Sequence, residues 1–144
     1  MKKFEYKLQR LLNIKLNIEK LLKEEYARLN SRRDSHIKAK QYYEDLSNDQ
    51  RELFINNKIF HQEDASLTQN YLNFISNQIY NQDLGIKDYE IKMDKKRKEI
   101  IDNQKEKKIL EKLKEKKIEE YKYEIMLEDR KVIDEIAARV GLKY

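Results

Sequence analysis

The feature that most constrains this chain is the near absence of helix-breaking residues. Its 144 residues contain no proline and only two glycines, Gly85 and Gly141. In a helix interior, proline costs about 3 kcal/mol and glycine about 1 kcal/mol relative to alanine. Because these residues are nearly absent, the chain has little that would interrupt a long helix. The composition is 41% charged and 39% hydrophobic. Such a mixture is too poor in apolar side chains for a globular interior, but it suffices for a seam between helices.

A hydrophobic stripe with helical spacing predicts a first helix over about residues 3–58. Its leading positions lie three, four or seven residues apart and are Phe4, Leu8, Leu11, Ile18, Leu22 and Leu29. Lys15 interrupts this stripe, and three further residues widen it: Leu12, Ile14 and Leu21. A weaker seam follows through Glu25, Arg32, His36, Ala39, Tyr43 and Leu46. This pattern is typical of a coiled coil.

The pattern loosens before a second helix, which we predict over about residues 66–139 after a connection over about 59–65. Ser66-Leu67-Thr68-Gln69 fits a capping box, in which the Ser and Gln side chains bind otherwise unpaired backbone N–H groups. A heptad repeat follows at Leu72, Ile79, Ile86, Met93 and Ile100. Lys107 and Lys114 occupy the next two heptad positions, so we expect the stripe to shift phase there without ending the helix.

Two long helices joined by a short connection predict an all-α fold, an antiparallel coiled-coil hairpin forming a single domain over residues 1–144. Arms of about 55 residues would make an elongated rod roughly 80 Å long. A bend near residue 63 would place Lys15 near Glu111, Arg32 near Asp94 and His36 near Glu90. Residues 1–40 and 95–120 are basic, whereas residues 41–94 are acidic. The two ends of the hairpin would then differ in charge and suit different partners.

The residues for catalysis are missing from the sequence. There is no cysteine, only two histidines, His36 and His61, and no glycine-rich phosphate loop. Cys–His chemistry, a serine triad and nucleotide hydrolysis are therefore poorly supported. His61-Gln62-Glu63-Asp64 offers metal ligands, but their spacing matches no zinc motif. We predict a protein that is not an enzyme and has no cofactor, and, without a signal peptide or a membrane span, a cytoplasmic one.

Two sequence features are candidates for binding. The lysine-rich stretch over residues 95–117 could neutralise nucleic-acid phosphates, but interleaved acidic residues favour a solvated helix face instead. The other feature is a group of aromatic residues around the predicted bend. Packing in the seam accounts for about half of them, and the rest would form a protein-docking patch. The group comprises Tyr42, Tyr43, Phe54, Phe60, Tyr71, Phe74 and Tyr80.

Both ends of the sequence resemble the flagellar export protein FliJ family. The first resembling segment has Phe4, Tyr6 and Lys15 around the run Leu8-Gln9-Arg10-Leu11-Leu12. The second is Leu110-Glu111-Lys112-Leu113-Lys114-Glu115-Lys116-Lys117, followed by Glu119-Glu120-Tyr121 and Asp134-Glu135-Ile136-Ala137. Chain length and the predicted hairpin agree with the family, while the asparagine-rich middle departs from its more charged middle.

The resemblance implies a coiled-coil stalk of the flagellar type III protein export apparatus. Its partners would be the hexameric export ATPase, which it would bind and stimulate, the export gate protein and export chaperones, at the cytoplasmic face of the inner membrane. For the gate or chaperone contact we select Tyr71 and Phe74. For the ATPase ring we select the basic residues Arg10, Lys15, Lys112, Lys114, Lys116, Lys117 and Arg139. The alternatives are a generic coiled-coil scaffold, the related injectisome stalk protein, and a basic nucleic-acid-binding hairpin.

Overall fold

The computed structural model describes residues 3–56 and 62–141, which form two helices and no strand. Helix α1 comprises Gln9–Asn56 and helix α2 comprises Gln62–Gly141. The two helices pack against each other. Along α1 from Glu25 to Lys40, the ion-pair partners on α2 run backwards from Lys96 to Asp83, so the helices are antiparallel. The predicted all-α helical hairpin is confirmed.

Both helices begin at residues other than those expected. Lys3–Leu8 is not helical, and α1 begins only at Gln9. Helix α2 begins at Gln62, so Ser66 lies inside the helix and the expected capping box does not cap it. Glu63 and Asp64 lie in the first turn instead, where carboxylates interact favourably with the positive end of the helix dipole. The chain between the helices, 57–61, lies outside the described residues, whereas residues 62–65 of the predicted connection are helical.

The tertiary contacts divide the chain into two compact units, each containing part of both helices. Unit 1 consists of Met1–Lys20 and Ile101–Tyr144, and unit 2 consists of Leu21–Ile100. Each unit therefore buries its own section of the seam.

In unit 2 the seam combines buried apolar residues with ion pairs across the two helices. Ile75 and Met93 are almost fully buried, at 1% and 3% exposed. The Lys96 Nζ lies 2.5 Å from a Glu25 oxygen, and this hydrogen-bonded carboxylate raises the pKa of Lys96. The Lys40 Nζ lies 2.8 Å from an Asp83 oxygen and has its pKa raised in the same way. Glu25 and Lys40 of α1 are therefore each paired with an opposite charge on α2.

Gly85 provides the space in unit 2 for the ring of His36. A Cβ added at Gly85 would lie 3.0 Å from both Cε1 and Nδ1 of His36. The His36 Nδ1 is 2.6 Å from the Gln82 Oε1, and the ring lies 5.4 Å from the Tyr89 ring. The sequence predicted Glu90 as a neighbour of His36, and the side chains that contact its ring in the structure are those of Gln82 and Tyr89. A side chain at position 85 would therefore have to displace the His36 ring.

In unit 1 a buried asparagine of α2 forms a hydrogen bond to α1. Asn103 is 6% exposed, and its Nδ2 donates to the backbone carbonyl of Lys15 at 3.0 Å. The Lys15 ammonium pairs with Glu106, so the expected pairing with Glu111 is wrong by slightly more than one turn. The reason is that the buried amide of Asn103 bonds to the Lys15 backbone, which fixes the local register.

A second ion pair in unit 1 lies at Lys107, where the sequence predicted that the apolar stripe would shift phase. The Lys107 Nζ lies 2.7 Å from a Glu19 oxygen, and this hydrogen bond raises the pKa of Lys107. Lys107 therefore lies in the seam, and Leu110, at 7% exposed, follows in the same phase. The stripe does not slip at Lys107, because an ion-paired lysine is tolerated at the interface of two helices.

The apolar stripe at the start of α1 also differs from the prediction. Leu12 is buried at 4% exposed, whereas Leu8 and Leu11 are about two-fifths exposed. Leu21, which was expected to widen the stripe, is 57% exposed. Because Leu8, Leu11 and Leu12 lie within about one helical turn, their spacing does not decide which of them faces the partner helix.

Candidate functional site

The last part of α2 presents an apolar face that no described residue of unit 1 covers. Every described side chain from residue 126 to residue 141 is exposed. Met126, Ile133, Ile136 and Val140 are each about half exposed or more. With 100° between successive residues, these four positions share one face of the helix, and Asp129 is the charged residue among them. An amphipathic helix with an uncovered apolar face is a common element for docking to another protein.

The predicted basic residues all belong to unit 1, but they are not equally available. Arg10 is exposed on α1. Lys112 and Lys116 are exposed and, being four residues apart, share one face of α2. Arg139 is exposed on the uncovered part of α2, about 33 Å along the helix from Lys117. The structure therefore forms a basic pair at Lys112 and Lys116 and leaves Arg139 far from it.

The other three predicted basic residues make or border contacts within unit 1. Lys15 is paired with Glu106 and its side chain is only 23% exposed. Lys114 is partly buried. Lys117 is exposed but lies 3.4 Å from a Glu120 oxygen. It also borders a cavity of about 360 Å³ whose other lining residues are Glu5, Tyr6, Lys7, Leu8 and Leu113.

The predicted aromatic pair in unit 2 is exposed and extends further than expected. Tyr71 is 41% exposed and Phe74 is 54% exposed, and one helical turn separates them. Leu67, four residues before Tyr71, is 67% exposed and lies on the same face. Ile75 beside them is buried, so this face lies roughly a quarter turn from the seam. The sequence interpretation missed Leu67 because it was assigned to the capping box.

The remaining aromatic residues do not form one patch. Tyr42 is 61% exposed and packs edge-on against Tyr43, with 5.5 Å between the ring centroids. Tyr80 is 63% exposed, but its position on α2 faces away from Tyr71 and Phe74. Phe60 lies outside the described residues. The structure thus separates Tyr71 and Phe74 from Tyr80 on α2.

The described residues hold no group of three His, Cys, Asp or Glu side chains arranged for a metal ion. His61 lies outside the described residues. None of the helical stretches in the described part of the chain combines the length and the hydropathy needed to cross a bilayer.

The fold is that of an all-α helical-hairpin protein, whose described residues include an exposed apolar face at the end of α2 and an exposed face at Leu67, Tyr71 and Phe74. The family described as Flagellar FliJ protein matches residues 4–143, and the chain belongs to this family. It is therefore a component of the flagellar export apparatus, in a family whose members act as non-enzymatic export components. The comparison with curated proteins gives no match, and the comparison with solved structures gives none.

Proposed function

We propose that the chain is a stalk that binds the hexameric export ATPase through unit 1 and stimulates its activity. The observation that carries this proposal is the uncovered end of α2, residues 126–141, in a chain that matches the FliJ family over residues 4–143. A single helix has all of its sides available, so it suits a site that surrounds it, such as the opening of a ring. Its apolar face would supply most of the buried area there.

The exposed basic residues would position the stalk in the ring. The side chains of Lys112, Lys116 and Arg139 are exposed, so acidic groups of the ring would attract them. Arg10 would add a charge from α1. Lys15 is less suited to this role, because its pairing with Glu106 fixes the register of the hairpin.

ATP hydrolysis by the export ATPase of the same organism tests this proposal. We expect stimulation by the full chain at equal concentration, together with co-elution of the two proteins in gel filtration. The variant Lys112→Ala/Lys116→Ala should reduce the stimulation several-fold. The matched control is Lys95→Ala/Lys98→Ala, which removes the same charge from exposed positions of unit 2. Equal loss in both variants would show that only net charge matters, and no co-elution of the helical wild-type chain would refute the stalk.

We propose that Leu67, Tyr71 and Phe74 form a separate docking face for the export gate or an export chaperone. Exposed aromatic side chains next to an aliphatic one are typical anchors of protein interfaces, where the loss of one costs about 2 kcal/mol or more. Tyr71→Ala/Phe74→Ala should weaken binding to the purified gate domain by at least about tenfold without lowering ATPase stimulation. Tyr80→Ala, on another face of the same helix, is the control and should bind as the wild type does.

A further inference from the structure

We propose that residues 3–8 act as a latch with two conformations. In the first they lie non-helical along α2 and cover Tyr121, and in the second they add a turn or more to the start of α1 and release it. This inference concerns unit 1 alone and does not depend on which protein the chain binds.

The contacts of the latch show that its present conformation is not helical. The Tyr6 hydroxyl donates to the backbone carbonyl of Leu110 at 2.8 Å, and the Phe4 ring lies 5.5 Å from the Tyr121 ring. These two contact points on α2 are eleven residues apart, which is about 16 Å along the helix. In a helix, Phe4 and Tyr6 would be separated by only about 3 Å along the axis and would point in nearly opposite directions. A helical segment therefore cannot make both contacts.

The sequence of the same segment is nevertheless compatible with a helix. Phe4, Leu8 and Leu12 are spaced at four residues, and no glycine or proline occurs in this stretch. The Leu12 N–H already bonds to the Leu8 carbonyl at 2.9 Å in the α-helical pattern, so the helix needs only to continue. Helix propagation adds one backbone hydrogen bond for each residue that joins, which compensates for the loss of the two latch contacts.

The position of the latch gives it a consequence for binding. The seam side of α2 continues from Leu110 through Ile118, Tyr121 and Ile125, and the uncovered part of the helix begins at Met126. Phe4 lies against Tyr121, at the border between the covered and the uncovered part. A ligand that covers the uncovered face and extends past Ile125 must displace Phe4, and so it selects the helical conformation of the latch.

The cavity beneath the latch is consistent with an element that can move. Glu5, Tyr6, Lys7 and Leu8 form one side of the cavity of about 360 Å³, and Leu113 lies on the other side at 41% exposed. The latch is therefore held by its two aromatic side chains, with a cleft open to solvent beside the residues between them.

The experiment compares the full-length wild type with Tyr6→Phe, which removes only the hydroxyl that holds the latch. The backbone ¹³Cα chemical shifts of residues 4–8 report helix directly, and hydroxyl-radical footprinting reports the exposure of the Tyr121 side chain. We expect Tyr6→Phe to raise the ratio of helical to latched conformations by roughly fivefold, the effect of one hydrogen bond. Tyr121 should then be modified faster.

The control is Tyr123→Phe, which removes a hydroxyl from a tyrosine that is 58% exposed in the same unit. It should leave the shifts of residues 4–8 unchanged. Phe4→Ala removes the other latch contact and should move the shifts in the same direction as Tyr6→Phe. The proposal is overturned if both latch variants keep the wild-type shifts, or if the shifts of residues 4–8 move to random-coil values instead of helical ones.

Discussion

Replacing Gly85 with alanine tests whether the close contact with His36 governs the packing of unit 2. In an exposed helix interior, alanine is more favourable than glycine by about 1 kcal/mol. At position 85, however, the new Cβ would lie 3.0 Å from two His36 ring atoms and 3.3 Å from a third. Carbon atoms in contact normally stay about 3.5 to 4.0 Å apart. The ring must therefore move by about half an ångström.

The hydrogen bond of His36 determines what this movement costs. The ring is held by Gln82 at 2.6 Å, and a displaced ring loses or weakens that bond. A hydrogen bond of this kind contributes about 1 kcal/mol to stability. The loss cancels the gain in helix propensity, so we expect Gly85→Ala to change the free energy of unfolding by close to zero. In a His36→Ala background the same change should stabilise the protein by the full gain of about 1 kcal/mol.

Urea unfolding of four proteins, followed by far-UV circular dichroism, measures this difference as a double-mutant cycle. The wild type, the two single variants and the double variant should give a coupling free energy of about 1 kcal/mol between positions 36 and 85. Gly141→Ala is the control, because its added Cβ meets nothing within 4 Å. Its effect should be equal in both backgrounds. If Gly85→Ala stabilises the wild type as much as the His36→Ala protein, the ring yields freely and the reasoning is refuted.

Three further predictions concern the seam. Ile75→Ala should lower the free energy of unfolding by about 2 to 5 kcal/mol, because Ile75 is 1% exposed, and Ile91→Ala at 69% exposed should change it by less than about 1 kcal/mol in the same urea titration. Asn103→Leu should raise the melting temperature but allow other helix registers, which disulfide trapping between cysteines introduced across the seam of unit 1 would detect. The hydrogen bond to Glu19 raises the pKa of Lys107 above its ordinary value of 10.5. The interaction therefore stabilises the fold fully below pH 10.5, and this stabilisation is lost as the pH rises through the raised pKa. Lys107→Met should therefore lose less stability than the wild type between about pH 9 and pH 11.5, and equal losses would contradict the role of its ion pair.

The helices could be predicted from the sequence because helix-breaking residues are nearly absent and the apolar spacing persists. The heptad positions from Leu72 to Met93 lie in the seam of unit 2, and Met93 is among the most buried residues. The register could not be predicted to better than about one turn. A periodic seam fits equally well after a shift of a few residues, and specific polar contacts decide among the choices. The hydrogen bonds from Asn103 to Lys15 and between His36 and Gln82 are two such contacts. Neither can be recognised from the spacing of residues in a single sequence.

The candidate site could be predicted only in part, for the same physical reason. Tyr71 and Phe74 were recognised from residue type, but their joint exposure with Leu67 depends on which face of α2 meets α1. The ion pair of Lys15 likewise depends on register, so a residue selected for docking proves to be engaged within unit 1. Lys3–Leu8 shows the opposite difficulty. Its sequence is compatible with a helix, and long-range contacts to α2 hold it in another conformation.

The ion pairs across the seam also bear on self-association. Lysine lies on α1 in the pairs Lys15–Glu106 and Lys40–Asp83, whereas the carboxylate lies on α1 in the pairs with Lys107 and Lys96. If two copies of α1 aligned in parallel and in register, every one of these α1 residues would meet its own kind. Like charges at such close range cost free energy, so the seam opposes a parallel homodimer while it stabilises the hairpin. The charges that weaken the apolar stripe thus also disfavour the parallel, in-register pairing of two α1 helices.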